Sequence, residues 1–191
     1  MCNRAIFLDR DGTINYDTGY IKDSSHVIIL PGVSEGIKKL KNEFGFKAIV
    51  ISNQAGVSKG LMTREDVEAV NYRVNELLMH EGTSVDAFYY CPYHPDFDSP
   101  EKSFCRKPSP LMIVQAAKEF QIDLTQSYMI GDKASDVECG INAGVKTILL
   151  KNYTIEKEIS ILNNVGKKPN FTAANFNEAC DFIIKDLSGG E

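Results

Sequence analysis

The stretch Ala5-Ile6-Phe7-Leu8-Asp9-Arg10-Asp11-Gly12-Thr13-Ile14-Asn15 decides the fold, because an apolar run ends there abruptly in two acids one residue apart. Four apolar residues bounded by a charged tripeptide and a glycine suit a strand that is buried on both faces and enters a tight turn. Asp9 and Asp11 then stand at its carboxyl end. In extended backbone, residues i and i+2 share a side, so both carboxylates face one point while Arg10 faces away. Two like charges placed so closely raise one pKa or draw in a cation, and carboxylate and carbonyl oxygens suit Mg2+. Gly12 permits the sharp turn, and the Thr13 hydroxyl is placed to hold it. Acids also stand at strand ends simply to cap loops, so the pair gains meaning only from the rest of the chain.

Further apolar runs end in the same way. Lys47 to Ile51 predicts a second buried strand, closed by Ser52-Asn53-Gln54-Ala55-Gly56, a hydroxyl and free N–H groups suited to a phosphate. A third strand, Val85 to Cys91, precedes a loop rich in Pro, Asp and Ser that closes on Cys105-Arg106-Lys107-Pro108, adjacent cations directly before a helix. The fourth, Ser127 to Ile130, runs into Gly131-Asp132-Lys133-Ala134-Ser135-Asp136, and Lys146 to Leu150 makes a fifth.

Helical spacing fills the intervals. Val33, Ile37 and Leu40 predict a helix ended by Phe44-Gly45. Thr63 with Asp66 marks the start of one whose apolar face is Val67, Val70, Val74, Leu77 and Leu78. Ser109-Pro110 opens a third, which buries Met112, Ile113, Ala116, Ala117 and Phe120, and a short helix runs to Asn142 before Gly144. The tail predicts a strand near Asn170 and a helix from Asn175 to Leu187. Tyr16 to Ile28 shows no helical period and is expected to lie as a loop over the first strand end.

Strands alternating with helices predict an α/β fold, a doubly wound parallel sheet, here as one domain over residues 1–191. Between Asn15 and Lys47 there is room for a loop and a helix, but not for a large cap domain. Ligands of such sheets bind outside the carboxyl ends of the strands, where the acids, hydroxyl and cations all fall. A hydrophobic content of 43% with 25% charged residues excludes a disordered chain, and a net charge of -5 argues against a general nucleic-acid binder. A small anionic substrate still feels the local cations. No secretory or membrane-spanning stretch is visible, so a cytoplasmic protein without a membrane partner, and a monomer, is expected. The cysteines are odd in number (5) and sparse, which does not suggest a disulfide framework.

Asp9-Arg10-Asp11-Gly12-Thr13, Ser52-Asn53-Gln54, Lys107-Pro108 and Gly131-Asp132 with Asp136 match, in order, the motifs of the haloacid dehalogenase-like phosphohydrolases. Within that superfamily, Phe7 to Asn15, Ser52 to Gly56 and Cys105 to Pro108 resemble the D-glycero-D-manno-heptose 1,7-bisphosphate 7-phosphatases and the related histidinol-phosphate phosphatases. The resemblance extends from Ile6 to Leu150 and implies a Rossmann-like fold with Mg2+-dependent hydrolysis of a phosphorylated sugar. It implies Asp9 as the nucleophile that becomes an aspartyl-phosphate and Asp11 as general acid and base. Ser52 and Lys107 would hold the phosphoryl oxygens. Mg2+ would be held by Asp9, Asp132 and the Asp11 carbonyl, with Asp136 behind the direct ligands. Asp17, Thr18, Gly19, Tyr20, Asn53, Gln54, Ala55, Arg106 and Lys133 would join Ser52 and Lys107 in contacting substrate.

Members of that family commonly bind zinc through Cys-x-His and Cys-x-Cys. Here the loop reads Cys91-Pro92-Tyr93-His94 and Ser103-Phe104-Cys105, so zinc is not expected, and Cys91, His94 and Cys105 are its remaining candidate ligands. Two other readings fit the same residues: a histidinol-phosphate phosphatase, and a non-catalytic sugar-phosphate binding module on the same scaffold.

Overall fold

Strand β1 (Arg4–Leu8) divides its residues by parity: Ile6 and Leu8 join one apolar cluster, Ala5 and Phe7 another. On β2 (Phe46–Asn53), Ala48 and Val50 oppose Ile49 and Ile51 in the same way. Both faces being buried, polar residues have no place in either run. The computed structural model describes residues 3–189, so Cys2 lies outside the described residues. With β3 (Ala87–Cys91), β4 (Tyr128–Gly131), β5 (Lys146–Leu150) and β6 (Phe171–Ala173), the strands form one parallel sheet in the order β3-β2-β1-β4-β5-β6.

Helices α1 (Val33–Phe44) and α2 (Arg64–His80) bury Ile37, Leu40, Val70, Val74 and Leu78 against one side of the sheet. A one-turn helix, α3 (Pro100–Ser103), lies in the loop after β3. Helices α4 (Leu111–Phe120) and α5 (Ala134–Ala143) cover the other side through Met112, Ile113, Ala116 and Cys139. Then come α6 (Ile155–Asn164), packed on α5 through Leu162, and α7 (Phe176–Leu187), packed beside α1 through Phe176, Ala179 and Ile183. Thr63 and Asp66 start α2 as a reciprocal capping box, at 3.1 and 2.8 Å.

The sequence reading missed α3 and α6. The first is too short to show a period. In the second, the buried stripe holds Glu158 where an apolar residue would be diagnostic, because its carboxylate is used inside the protein, accepting from Ala134 N at 2.8 Å. The third strand begins at Ala87 and not Val85, since the Asp86 carboxylate takes the Ala48 N–H that a strand neighbour would otherwise bind (2.8 Å). Among the described residues no helix is long and apolar enough to cross a membrane.

From β1 the chain winds outward to β2 and β3, then returns to place β4 on the other side of β1. This reversal of strand order opens a crevice at the carboxyl ends of β1 and β4. Leu8 pairs with Ile130, and Asp9 N donates to Ile130 O at 3.0 Å, so the residues following both strands meet there.

Candidate active site

Asp9 leaves β1 and Asp132 leaves β4 at that reversal. Ligand oxygens of Asp9, Asp132 and Asp136 lie within 4.8 Å of one another, and all three residues are buried. Gly12 makes the approach possible. Its φ is +83°, and a Cβ there would sit 2.5 Å from Asp132 Oδ2, so both the backbone and the space require glycine.

Lys107 enters from the loop before α4. Its buried Nζ stands 2.9 Å from Asp9 Oδ1 and 2.6 Å from Asp136 Oδ1, and donates to Ile51 O at 2.7 Å. Asn53 holds its peptide from both sides, accepting from Lys107 N at 3.0 Å and donating to Lys107 O at 3.2 Å. Asn53, which the resemblance places on substrate, also lines the cavity above these groups, so the same side chain aims Lys107 and borders the substrate space. Gln54 Nε2 bridges Ser52 Oγ (2.8 Å) and Asp11 Oδ2 (2.9 Å). Asp136 Oδ2 accepts from Lys133 N at 3.0 Å, fixing that acid to the first turn of α5.

Arg10 does not face away. Chain turning begins at Arg10, whose carbonyl accepts from Ile14 N at 2.9 Å, so strand alternation ends before Asp11. The guanidinium curls onto the Asp11 carboxylate, Nε to Oδ1 at 3.1 Å and Nη2 to Oδ2 at 2.9 Å, and Nη1 donates to Asn71 Oδ1 at 2.9 Å. Asn15 Nδ2 adds a further bond to Asp11 at 3.0 Å. Burial works to raise the Asp11 pKa, but the Arg10 charge and the bonds from Arg10, Asn15 and Gln54 outweigh it and hold the carboxyl below its ordinary range.

Asp132 goes the other way. Burial, and then the charges of Asp9 and Asp136, push it up to about 8. Its Oδ2 accepts from Asn152 Nδ2 at 2.9 Å, while its buried Oδ1 has no partner. An orphaned carboxylate oxygen among three buried acids, two of them paired with Lys107, fits a hard divalent cation of the Mg2+ type. The sequence reading missed Asn152, although it follows β5 as the other polar residues follow their strands. It also missed Asn15, whose role arises only from the turn.

A cavity of about 390 Å3 opens above these groups. Asp17, Gly19, Tyr20, Ala55, Arg106 and Lys133 line it, and so do Lys59 and His94, which sequence reasoning left out of the substrate wall. Thr18 does not line it. Lys133 Nζ stands 3.4 Å from Asp17 Oδ2. Arg106 has a buried Nη1 without a partner, and burial lowers its pKa against the opposing pull of Tyr20, Asp9 and Asp96.

The sparse cysteines, which suggest no disulfide framework, still form one bridge, Cys91 to Cys105 across 14 residues. Sequence spacing gave no sign of it, because the end of β3 and the loop before Lys107 meet only once the sheet is built. Sulfurs bonded to each other offer no thiolate to a metal, and His94 instead accepts from Asp96 N at 3.2 Å through Nδ1. Thiol titration of the denatured protein is expected to find about three reactive thiols before reduction and about five after it, by ordinary cysteine chemistry. Five thiols without reductant would refute the pairing.

Residues 104–179 match the HAD-hydrolase-like family model. The chain is 45% identical over 165 residues to a D-glycero-D-manno-heptose-1,7-bisphosphate 7-phosphatase of Chlorobaculum tepidum, covering 82% of each. It is 44% identical to a D-glycero-beta-D-manno-heptose-1,7-bisphosphate 7-phosphatase of Helicobacter pylori, over 78% of this chain and 83% of the other. The crystal structure of a D,D-heptose 1,7-bisphosphate phosphatase from B. bronchiseptica, complexed with magnesium and phosphate, superimposes with a TM-score of 0.82 at 26% identity, covering 96% of this chain and 99% of that one. The chain belongs to the haloacid dehalogenase-like phosphatases, in the family of the D-glycero-D-manno-heptose-1,7-bisphosphate 7-phosphatases.

Proposed function

We propose that residues 1–191 form one phosphatase domain that removes the 7-phosphate of D-glycero-D-manno-heptose 1,7-bisphosphate in nucleotide-activated heptose biosynthesis, acting in the cytoplasm as a monomer. The observation that carries the reading is Asp9 at the strand reversal, pinned between Lys107 and Arg10 N (2.8 Å) and facing a cavity lined by cations.

Asp9 attacks phosphorus and forms an aspartyl-phosphate, dividing one difficult displacement into two easier ones. Lys107 and the Arg10 N–H hold one carboxylate oxygen and so fix the rotamer from which attack occurs. Ser52, oriented by Gln54, and Lys107 face the phosphoryl oxygens, where stabilisation counts most in phosphoryl transfer. Asp11 serves the leaving sugar oxygen and then the attacking water. Since Arg10 holds it anionic, it takes a proton from solvent before it protonates the leaving oxygen, and regains one from the attacking water in the second step. Asp9, Asp132 and the Asp11 carbonyl would hold Mg2+, with Asp136 behind them. Bound there, the cation would offset repulsion between the acids and an anionic substrate.

Activity is therefore expected to vanish in chelator and to return with Mg2+ or Mn2+ but not Ca2+, which prefers more ligands at longer distances. Stability gives a second readout. With Asp132 pushed up to about 8, the metal-free folded protein keeps a proton that the unfolded chain releases near pH 4. Its thermal midpoint should fall as pH rises through that window, and Mg2+ should raise it most at the alkaline end. Full activity after exhaustive chelation would refute the metal requirement. For the substrate, phosphate release from heptose bisphosphate and from histidinol phosphate should be compared under identical conditions. An equal or higher kcat/KM on histidinol phosphate would overturn the heptose assignment.

A further inference from the structure

The cavity carries more positive charge than the reacting phosphate uses. Lys107 is occupied by Asp9, Asp136 and the Ile51 carbonyl, and Lys133 is paired with Asp17. Two cations of the lining remain. One is Arg106, with its unpartnered buried Nη1. The other is Lys59, which forms no ion pair among the described residues and donates instead to the Tyr20 hydroxyl at 2.7 Å, lying 5.3 Å from that ring's centroid.

The backbone that carries this exposed lysine is fixed, and its side chain reaches the Tyr20 hydroxyl. After β2 the chain closes tight turns, with Lys59 N on Ala55 O at 3.1 Å and Leu61 N on Gly56 O at 2.9 Å. Ser58 N ties the turn to Pro92 O at 3.2 Å, and its hydroxyl bonds Asp98, so the loops after β2 and β3 are joined to each other. Gly56 lets Tyr20 lie against the turn, since a Cβ there would stand 2.8 Å from Tyr20 Cδ1 and 2.5 Å from Met62 Sδ.

We propose that Lys59 is a specificity-determining residue, whose ammonium, seated on Tyr20, joins Arg106 in gripping the non-reacting phosphate of a doubly phosphorylated sugar; this rests on the bisphosphate reading above. An ammonium has three donors, and Tyr20 takes one, which leaves two for an anion. Its four-carbon stem lets the charge follow the ligand, and the tyrosine hydroxyl, already accepting from Lys59, keeps its own proton to donate. A contact made equally in the ground and transition states lowers KM and leaves kcat alone.

The test compares Lys59→Met, Lys59→Arg and Tyr20→Phe with wild type on heptose 1,7-bisphosphate and on p-nitrophenyl phosphate, which has no second anionic group. Lys59→Met is expected to raise KM for the bisphosphate by roughly 10-fold or more, as loss of a charge-assisted hydrogen bond should, with kcat within about 3-fold and p-nitrophenyl phosphate kinetics unchanged. Lys59→Arg should restore most of the KM, and Tyr20→Phe should lose part of it on the bisphosphate only. A Lys59→Met enzyme that still discriminates as wild type does, or that is equally impaired on both substrates, overturns the assignment. A wild-type enzyme that shows no preference for the bisphosphate overturns the substrate reading itself, and the role of Lys59 with it.

Discussion

Asp9→Asn is expected to lower kcat by at least about 10^4-fold while leaving the protein folded, because an amide oxygen is too poor a nucleophile to form the covalent intermediate. Retention of the fold follows from the surroundings. Lys107 keeps Asp136 at 2.6 Å and the Ile51 carbonyl at 2.7 Å, and Asp132 loses one of the charges that push its pKa up. The metal-free variant should accordingly melt no lower than wild type, which separates a chemical loss from a structural one. Phosphate release at near wild-type rate would sink the mechanism.

Lys107→Met should have the opposite profile, with activity and stability lost together. Among the described residues its ammonium is the one cation in direct contact with both Asp9 and Asp136, and all three residues are buried. Removing one partner of a buried ion cluster leaves the other charges uncompensated, at a cost of about 3–5 kcal/mol. For a chain of this size the thermal midpoint should fall by roughly 10 °C. Mg2+ should recover part of the midpoint, since it compensates the same acids, but not the activity, since the phosphoryl oxygens still lack Lys107. Unfolding that matches wild type in the absence of metal would show that the acids carry no net charge to balance.

Much of this was legible in the chain. The apolar strands and their polar ends could be read because the buried stretches of β1 and β4 carry no charged residue until they leave the core, so Leu8-Asp9 and Ile130-Gly131-Asp132 mark the boundary sharply. Gly45, Gly144 and the Thr63 with Asp66 pair announce their helices through chemistry confined to a few neighbouring residues. What escaped depends on how the finished backbone turns or on segments brought together only by the fold. The Arg10 fork on Asp11 exists because the backbone turns where strand alternation would predict the opposite side. The Asn53 clamp on Lys107, the Asn152 bond to Asp132 and the Cys91–Cys105 bridge each join segments that only the finished sheet brings together. Glu158 hid α6 by spending a charge indoors.

The reversal of strand order also governs when activity appears during synthesis. Asp9 and Asp11 are made first, but the strand that completes their crevice, β4, begins at Tyr128, and Asp132 and Asp136 follow it. On the ribosome, the N-terminal half can pair β1 with β2 and β3 while the nucleophile still faces water on its open flank. Closure waits for a contact between segments more than a hundred residues apart, the kind of long-range pairing that folds late. Until then the exposed edge of β1 offers its ladder to any passing strand, so a nascent chain paused before Tyr128 should be the form most in need of a chaperone.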